Sequence, residues 1–337
     1  MKKKLLLFFF SICYLGISQI SVSEKPNQKS KEFNEDTLAR LKKTQTIFIL
    51  PDIIDKKDYQ EILQKHWKIT PYKFVNHNEF DFFTYLDDKY SFVYLNTNVN
   101  TIEKSRAINV YINTSLDFFM LDNSKAQELI TKNKKDSQEI IEKSKLPIAS
   151  IKLYPKNQSL RTIANARNDM ASLEEISYTK ETFYDFKIGF FKNGIQKINS
   201  QLLKEEPYNL YQSDHLSEIK NLADKKLYVP EYIGIQFNGM RETHRGKQKS
   251  HIEELFKNYN YQYTIINCDD LSNKIMGNEI DYYIKYTRIN TQRFLNVVNA
   301  KTGEIVYRNH MPGLAYNLHA KHVFNLNNTI RKTSENL

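Results

Sequence analysis

Few residues in this chain stand at spacings that could support proton transfer, metal binding or nucleophilic attack. His319 and His322 in "LHAKH" are three apart, so a helix would put both on one face, with His310 a third nitrogen upstream. No carboxylate or cysteine completes the set at a convincing local spacing, and the pattern predicts structural or surface histidines. "HIEEL", beginning at His251, lacks the second histidine that a zinc-protease helix needs. Cys268 is followed by Asp269 and Asp270, and neighbouring carboxylates disfavour the thiolate that a nucleophile requires. Those two acids suit the first turn of a helix, where backbone N–H groups lack partners. The chain has no phosphate loop, dinucleotide fingerprint or nucleophile elbow. Its sequence therefore predicts no catalytic residues, no metal and no cofactor.

One loop is different. "FNGMRETHRGKQK", from Phe237 to Lys249, gathers Arg241, His244, Arg245 and Lys247 between glycines. Such a cluster can hold a phosphate, a carboxylated glycan or an acidic partner, and these four residues are the expected binding surface. The competing expectation is a solvated, charge-rich loop with no ligand.

The 337 residues must position that loop, and the first eighteen are read separately. "MKKK", the apolar run "LLLFFFSICYL" and the small residues Gly16 and Ser18 form a secretory signal pattern, with cleavage expected before Gln19. Lipid attachment at Cys13 is the weaker alternative, because Ile12 is a poor small-residue site. No later stretch approaches the ~20 apolar residues of a membrane span. Removing Lys2, Lys3 and Lys4 lowers the formal charge from +10 to +7, and the remaining bases are interleaved with acids. That distribution argues against a nucleic-acid binder, which would cluster them on one face. Cys268 would be the mature chain's single cysteine, which excludes an internal disulfide.

The mature chain reads as a polar, flexible lead segment (19–43), a first α/β unit (44–122), a connecting region (123–225) and a second α/β unit (226–337). In the first unit "TIFIL" reads as a strand, "DKKDYQEILQKHW" as a helix, "PYKFVN" as a strand and "NEFDFFTYLDD" as a short helix. "YSFVYLN" and "AINVYIN" supply two further strands. The second unit repeats this order: "KLYVPEYIGIQF", "SHIEELFKNY", "YQYTIIN", "DDLSNKIMG", "DYYIKYT", then a hairpin turning at Lys301, Thr302 and Gly303. Tyr72 and Tyr90 align with Tyr263 and Asp281 at an offset of 191, while "LPDII" at Leu50 and "VPEYI" at Val229 align at 179. A common order of elements is the stronger sign of an internal repeat, with about a dozen extra residues in the second copy's loop. Between the units, helical patterns start at Ser124 and Phe183, the second carrying Gly189 and Gly194, and "LHAKHVFNLNNTIRK" closes the chain as a helix.

Residues 228–309, through the "DYYIKYT" strand and the "KTGE" turn at Lys301 to Glu304, resemble an α/β envelope domain. It is shared by curli-secretion lipoproteins, lipoprotein activators of penicillin-binding proteins and the amino-terminal domain of the Tol-system propeller protein. The resemblance implies binding to protein or glycan surfaces, and it carries no catalytic set.

Together these readings predict an α/β (α+β) protein of two related domains, each a mixed, mainly antiparallel sheet with packed helices. It is expected to be exported, periplasmic or secreted, and to bind or scaffold within the cell envelope, with an envelope protein or anionic glycan as partner. The alternative is a cell-wall or glycan hydrolase whose carboxylates only the fold brings together.

Overall fold

The computed structural model describes residues 19–25, 30–51, 53–104, 107–132, 137–166, 169–209, 212–237, 248–313 and 315–335. The first sheet takes β1 (Ile20–Val22), β2 (Gln45–Leu50), β3 (Tyr72–Asn76), β4 (Tyr90–Lys104), β5 (Ala107–Leu121) and β6 (Lys145–Lys152), in the order β1-β6-β5-β4-β2-β3. The second takes β7 (Asp214–His215), β8 (Leu227–Pro230), β9 (Tyr263–Ile266), β10 (Tyr282–Ile289), β11 (Gln292–Asn299) and β12 (Ile305–Met311), in the order β7-β12-β11-β10-β8-β9. In each, the strands at one end are parallel and the rest antiparallel. The two sheets are one topology used twice.

Strand register refines the internal alignment. Thr46 pairs with Tyr72 and Ser91, and Leu227 pairs with Tyr263 and Tyr282, so Thr46 and Leu227 are equivalent, at an offset of 181. The second copy's insertion is therefore ten residues, and the two prolines are not equivalent: Pro230 ends β8 opposite Ile266, while Pro51 lies just beyond β2. A slip of two residues keeps every side chain on its own face, which is why sequence similarity tolerates it.

The helices are α1 (Glu35–Leu41), α2 (Lys56–His66), α3 (Asn123–Thr131), α4 (Ser137–Ser144), α5 (Asn157–Asn165), α6 (Met170–Ser177), α7 (Ile188–Lys204), α8 (Gln248–Phe256), α9 (Cys268–Met276) and α10 (Ala320–Glu335). Among them α7 is central, buried around most of its circumference and packed against α2, α9 and β1. Phe190, Phe191, Ile195 and Ile198 share one core with Phe48 and Phe118 of the first sheet and Tyr283 and Val298 of the second. Buried polar residues of α7 find partners: Lys192 Nζ donates to the Ile275 carbonyl and Asn278 Oδ1, both at 2.8 Å, and Asn199 Oδ1 accepts from the Lys68 N–H at 2.7 Å. Gly189 is where α9 crosses, since a β-carbon there would stand 2.6 Å from the Ser272 carbonyl oxygen.

Several segments depart from their local expectation. The 19–43 lead, expected to be flexible with a helical end, has that helix but also contributes an edge strand, and its Ile20, Val22, Leu38 and Leu41 are core residues. "NEFDFFTYLDD" forms two 3-10 turns, His77–Glu79 and Phe82–Tyr85. There Asp81 accepts from the Phe83 N–H and the Thr84 hydroxyl, an Asx turn that competes with helix. The helical pattern from Ser124 divides into α3 and α4, and α5 and α6 are additional to the predicted elements. No described helix is long and apolar enough to cross a membrane.

Candidate functional site

Side chains alternate across a strand, so β4 and β5 present Leu95 and Leu116 to the central core and Tyr94, Asn96, Ser115 and Asp117 to the opposite face. Beyond Tyr94 that face turns polar. Asn96, Asn98 and Asn100 on β4, Asn113 and Ser115 on β5, and Ser150 and Lys152 on β6 line a cleft of about 260 Å3, with Glu142 of α4 at its rim.

Two carboxylates lie within it, and one ammonium holds both. Lys145 Nζ donates to Asp117 Oδ2 at 3.2 Å and to Glu142 Oε1 at 2.8 Å, while Asn96 Nδ2 bridges the same two oxygens at 3.2 and 2.9 Å. Ser150 Oγ donates to Asp117 Oδ1 at 2.9 Å. Desolvation alone would raise the Asp117 carboxyl, but Lys145 and Lys152 outweigh it and hold it well below the usual carboxylate range. Burial alone would likewise lower Lys145, yet Asp117 and Glu142 keep its ammonium above its ordinary value.

Lys152 is less well served. It is 8% exposed, and its Nζ reaches Ser115 Oγ at 3.4 Å. Burial lowers its pKa, with Asp117 opposing and Lys145 reinforcing that effect. Around it, Asn96 Oδ1 and Asn113 Oδ1 are buried acceptors with no hydrogen-bond donor among the described residues. The cleft thus offers one poorly partnered amine and two empty amide acceptors.

A lysine of lowered pKa beside a serine suggests a base and a nucleophile. Ser115, however, sits mid-strand between β4 and β6, where backbone N–H groups are engaged in the ladders and none is left to cradle an oxyanion. Asp117 is an equally poor general acid, because its carboxyl stays ionised.

The second copy shows the same face closed. Register makes Lys285, Thr287 and Asn296 the equivalents of Tyr94, Asn96 and Asp117. There the Gln19 side chain enters from the other domain: its Nε2 donates to Asp185 Oδ2 at 3.2 Å and contacts the Thr287 hydroxyl, and its Oε1 accepts from Asn296 Nδ2 at 3.0 Å. Asp185 also accepts from the Tyr154 N–H at 2.7 Å and the Thr287 hydroxyl at 3.1 Å. The chain fills this face in one copy and leaves it open in the other.

No protein-family model and no curated protein matches this chain.

Arg241, His244, Arg245 and Lys247 lie outside the described residues. Cys268 borders a depression of about 180 Å3 between the connecting region and the second unit, beside a Lys187–Asp269 ion pair of 2.9 Å. Burial, with Asp185 nearby, pushes its thiol up to about 12, and the Asn267 side chain caps α9 by accepting from the Asp270 N–H. His310 stacks on Phe294, and the His319 N–H donates to His322 Nδ1 at 3.2 Å. No group of three metal-ligating side chains occurs among the described residues. Asn96, Asn113, Asp117, Lys145 and Lys152 escaped the local reading of the sequence. One signal was present: "NTNVN" at Asn96 to Asn100 puts poor strand formers at alternate positions, hence on one face of a strand.

Proposed function

We propose that this chain is a non-catalytic binding protein, exported to the periplasm or beyond, and that the cleft of its first domain takes a small polar ligand. The Lys152 amine beside the empty acceptors Asn96 Oδ1 and Asn113 Oδ1, on a face that Gln19 closes in the other copy, carries this reading. The ligand has an acceptor or anionic group for Lys152 and N–H or O–H donors for the two amides, as in amino acids, amino sugars and sugar acids. A volume of about 260 Å3 suits a molecule of that size. An envelope protein or anionic glycan remains the proposed larger partner, in keeping with the resemblance of residues 228–309 to envelope binding domains. Export rests on the first eighteen residues, and an intact mass beginning at Gln19 in an envelope fraction would support it.

Thermal unfolding across a panel of amino acids, amino sugars and sugar acids, followed by calorimetry, tests the cleft. A supporting result is a saturable rise in Tm for native protein that Lys152→Met abolishes. If no panel member binds, and native mass spectrometry of protein from its own envelope shows no bound small molecule, the reading fails. The hydrolase alternative has one favourable observation, two carboxylates sharing a cleft. Turnover of cell-wall fragments that Asp117→Asn abolishes would establish it in place of binding.

A further inference from the structure

Arg288 and Arg293 are direct cross-strand partners on β10 and β11, beside the turn that joins them. They are only 5% and 4% exposed, and neither forms an ion pair with a described carboxylate. Like charges opposite each other destabilise a sheet, and a buried charge without a counterion is costlier still. Their visible partners are neutral. Arg288 Nη2 donates to Asn157 Oδ1 at a long 3.4 Å, and Arg293 Nη1 donates to the Asn317 carbonyl at 2.8 Å. The Arg288 guanidinium also lies over the Phe237 ring at 3.9 Å. Stacking uses the flat face of a guanidinium and leaves its edge N–H groups to find acceptors.

Three such donors have none among the described residues: Arg288 Nε, Arg293 Nε and Asn157 Nδ2 are all buried and unpartnered. They come from β10, β11 and the first turn of α5. The surrounding titratable groups supply no negative charge: His310, His319 and His322 feel Arg293 as a like charge, and Tyr154, which hydrogen-bonds Arg288, Tyr184 and Tyr286 are held neutral by burial. The first copy handles the equivalent pair differently. Register places Thr97 and Thr114 there; Thr97 shares a hydroxyl contact with Ser177, and Thr114 Oγ1 donates to the Leu153 carbonyl at 3.0 Å. Small hydroxyls with internal partners fill in one domain what two guanidiniums without counterions among the described residues occupy in the other.

We propose that Arg288, Arg293 and Asn157 form an oxyanion-binding site in the second domain, taking a phosphate or carboxylate group presented free or at the end of a larger molecule. The site is separate from the polar cleft and does not depend on it. An oxyanion supplies several acceptors and a negative charge to donors that lack both, and guanidiniums suit it better than ammonium would.

The test is thermal unfolding and calorimetry of the mature chain with inorganic phosphate and with acetate, each against chloride at matched ionic strength. The expected result is a saturable rise in Tm beyond the chloride control, with affinity reduced at least tenfold by Arg288→Met combined with Arg293→Met. A stronger response to glucose 6-phosphate or glucuronate than to the free ions would identify the anion as the terminus of a sugar. Asn157→Asp keeps the proposal testable if the double variant fails to fold: its carboxylate supplies the missing anion in place, so the protein should stay folded and lose its phosphate response. Indifference of native protein to both anions overturns the site, as does an undiminished response in the folded variants.

Discussion

Gly303, in the turn of the last hairpin, stands against the backbone of Asn193 in the middle of α7, and a β-carbon on it would lie 2.5 Å from that carbonyl oxygen. Its φ of 74° is left-handed, so two separate constraints select glycine. The same contact ties the second sheet to the central helix: Asn193 Nδ2 donates to the Ala300 carbonyl at 3.0 Å, Gln196 Nε2 to the Lys301 carbonyl at 2.9 Å, and Lys197 pairs with Glu304. Gly303→Ala should therefore cost about 1–3 kcal/mol from backbone strain and overpacking. Urea unfolding of the variant beside native protein checks this, and an unchanged midpoint would contradict the docking.

Lys152→Met should leave the fold intact and change stability by less than about 2 kcal/mol in either direction, because relief of a buried amine that holds one long hydrogen bond offsets the loss of its attraction to Asp117. Denaturant titration measures it. A loss above about 2 kcal/mol would mean that the amine is already satisfied inside the protein, and the cleft would lose its strongest claim to a ligand.

His322 links stability to pH. Burial, then Arg293 and Lys321, push its imidazole down from 6.5 to about 4. Its folded pKa lies below the unfolded one, so its contribution is fully present above about pH 6.5 and is lost as pH falls toward 4. The change should be on the order of 1–2 kcal/mol after solvent screening. His322→Gln does not titrate and can still accept the His319 N–H in the manner of a capping box, so its stability curve should be flatter. His66, also pushed down to about 4, keeps part of the slope in the variant.

Cys268 should resist alkylation. With its thiol pushed up to about 12, the thiolate is scarce at pH 8, and iodoacetamide should react roughly a hundred- to a thousandfold more slowly than with the urea-unfolded chain. Equal rates would show that the thiol is neither buried nor perturbed.

Much of the architecture is legible in the residues themselves. Alternating apolar strands, "KTGE" at the last hairpin and the repeated order around Tyr72 and Tyr263 predict two related mixed sheets, and two six-stranded sheets of one topology are present. Local chemistry misleads where a segment's partner is distant. "ISV" at Ile20 to Val22 reads as part of a polar lead until β6 pairs with it, and Gly189 reads as a weak point in a helix until α9 crosses it. Neither partner lies near in the chain.

The candidate sites divide the same way. The sequence by itself determined the strand periodicity that puts Asn96 and Asn98 on one face and the hairpin that turns at Lys301, Thr302 and Gly303. Only the tertiary structure decided that Lys145 would hold both Asp117 and Glu142, that Gln19 would close one copy's polar face, and that two arginines would be buried without a counterion among the described residues. The reason is physical: strand and helix period are set by backbone geometry within a few residues, whereas burial and charge pairing depend on groups brought together from far along the chain.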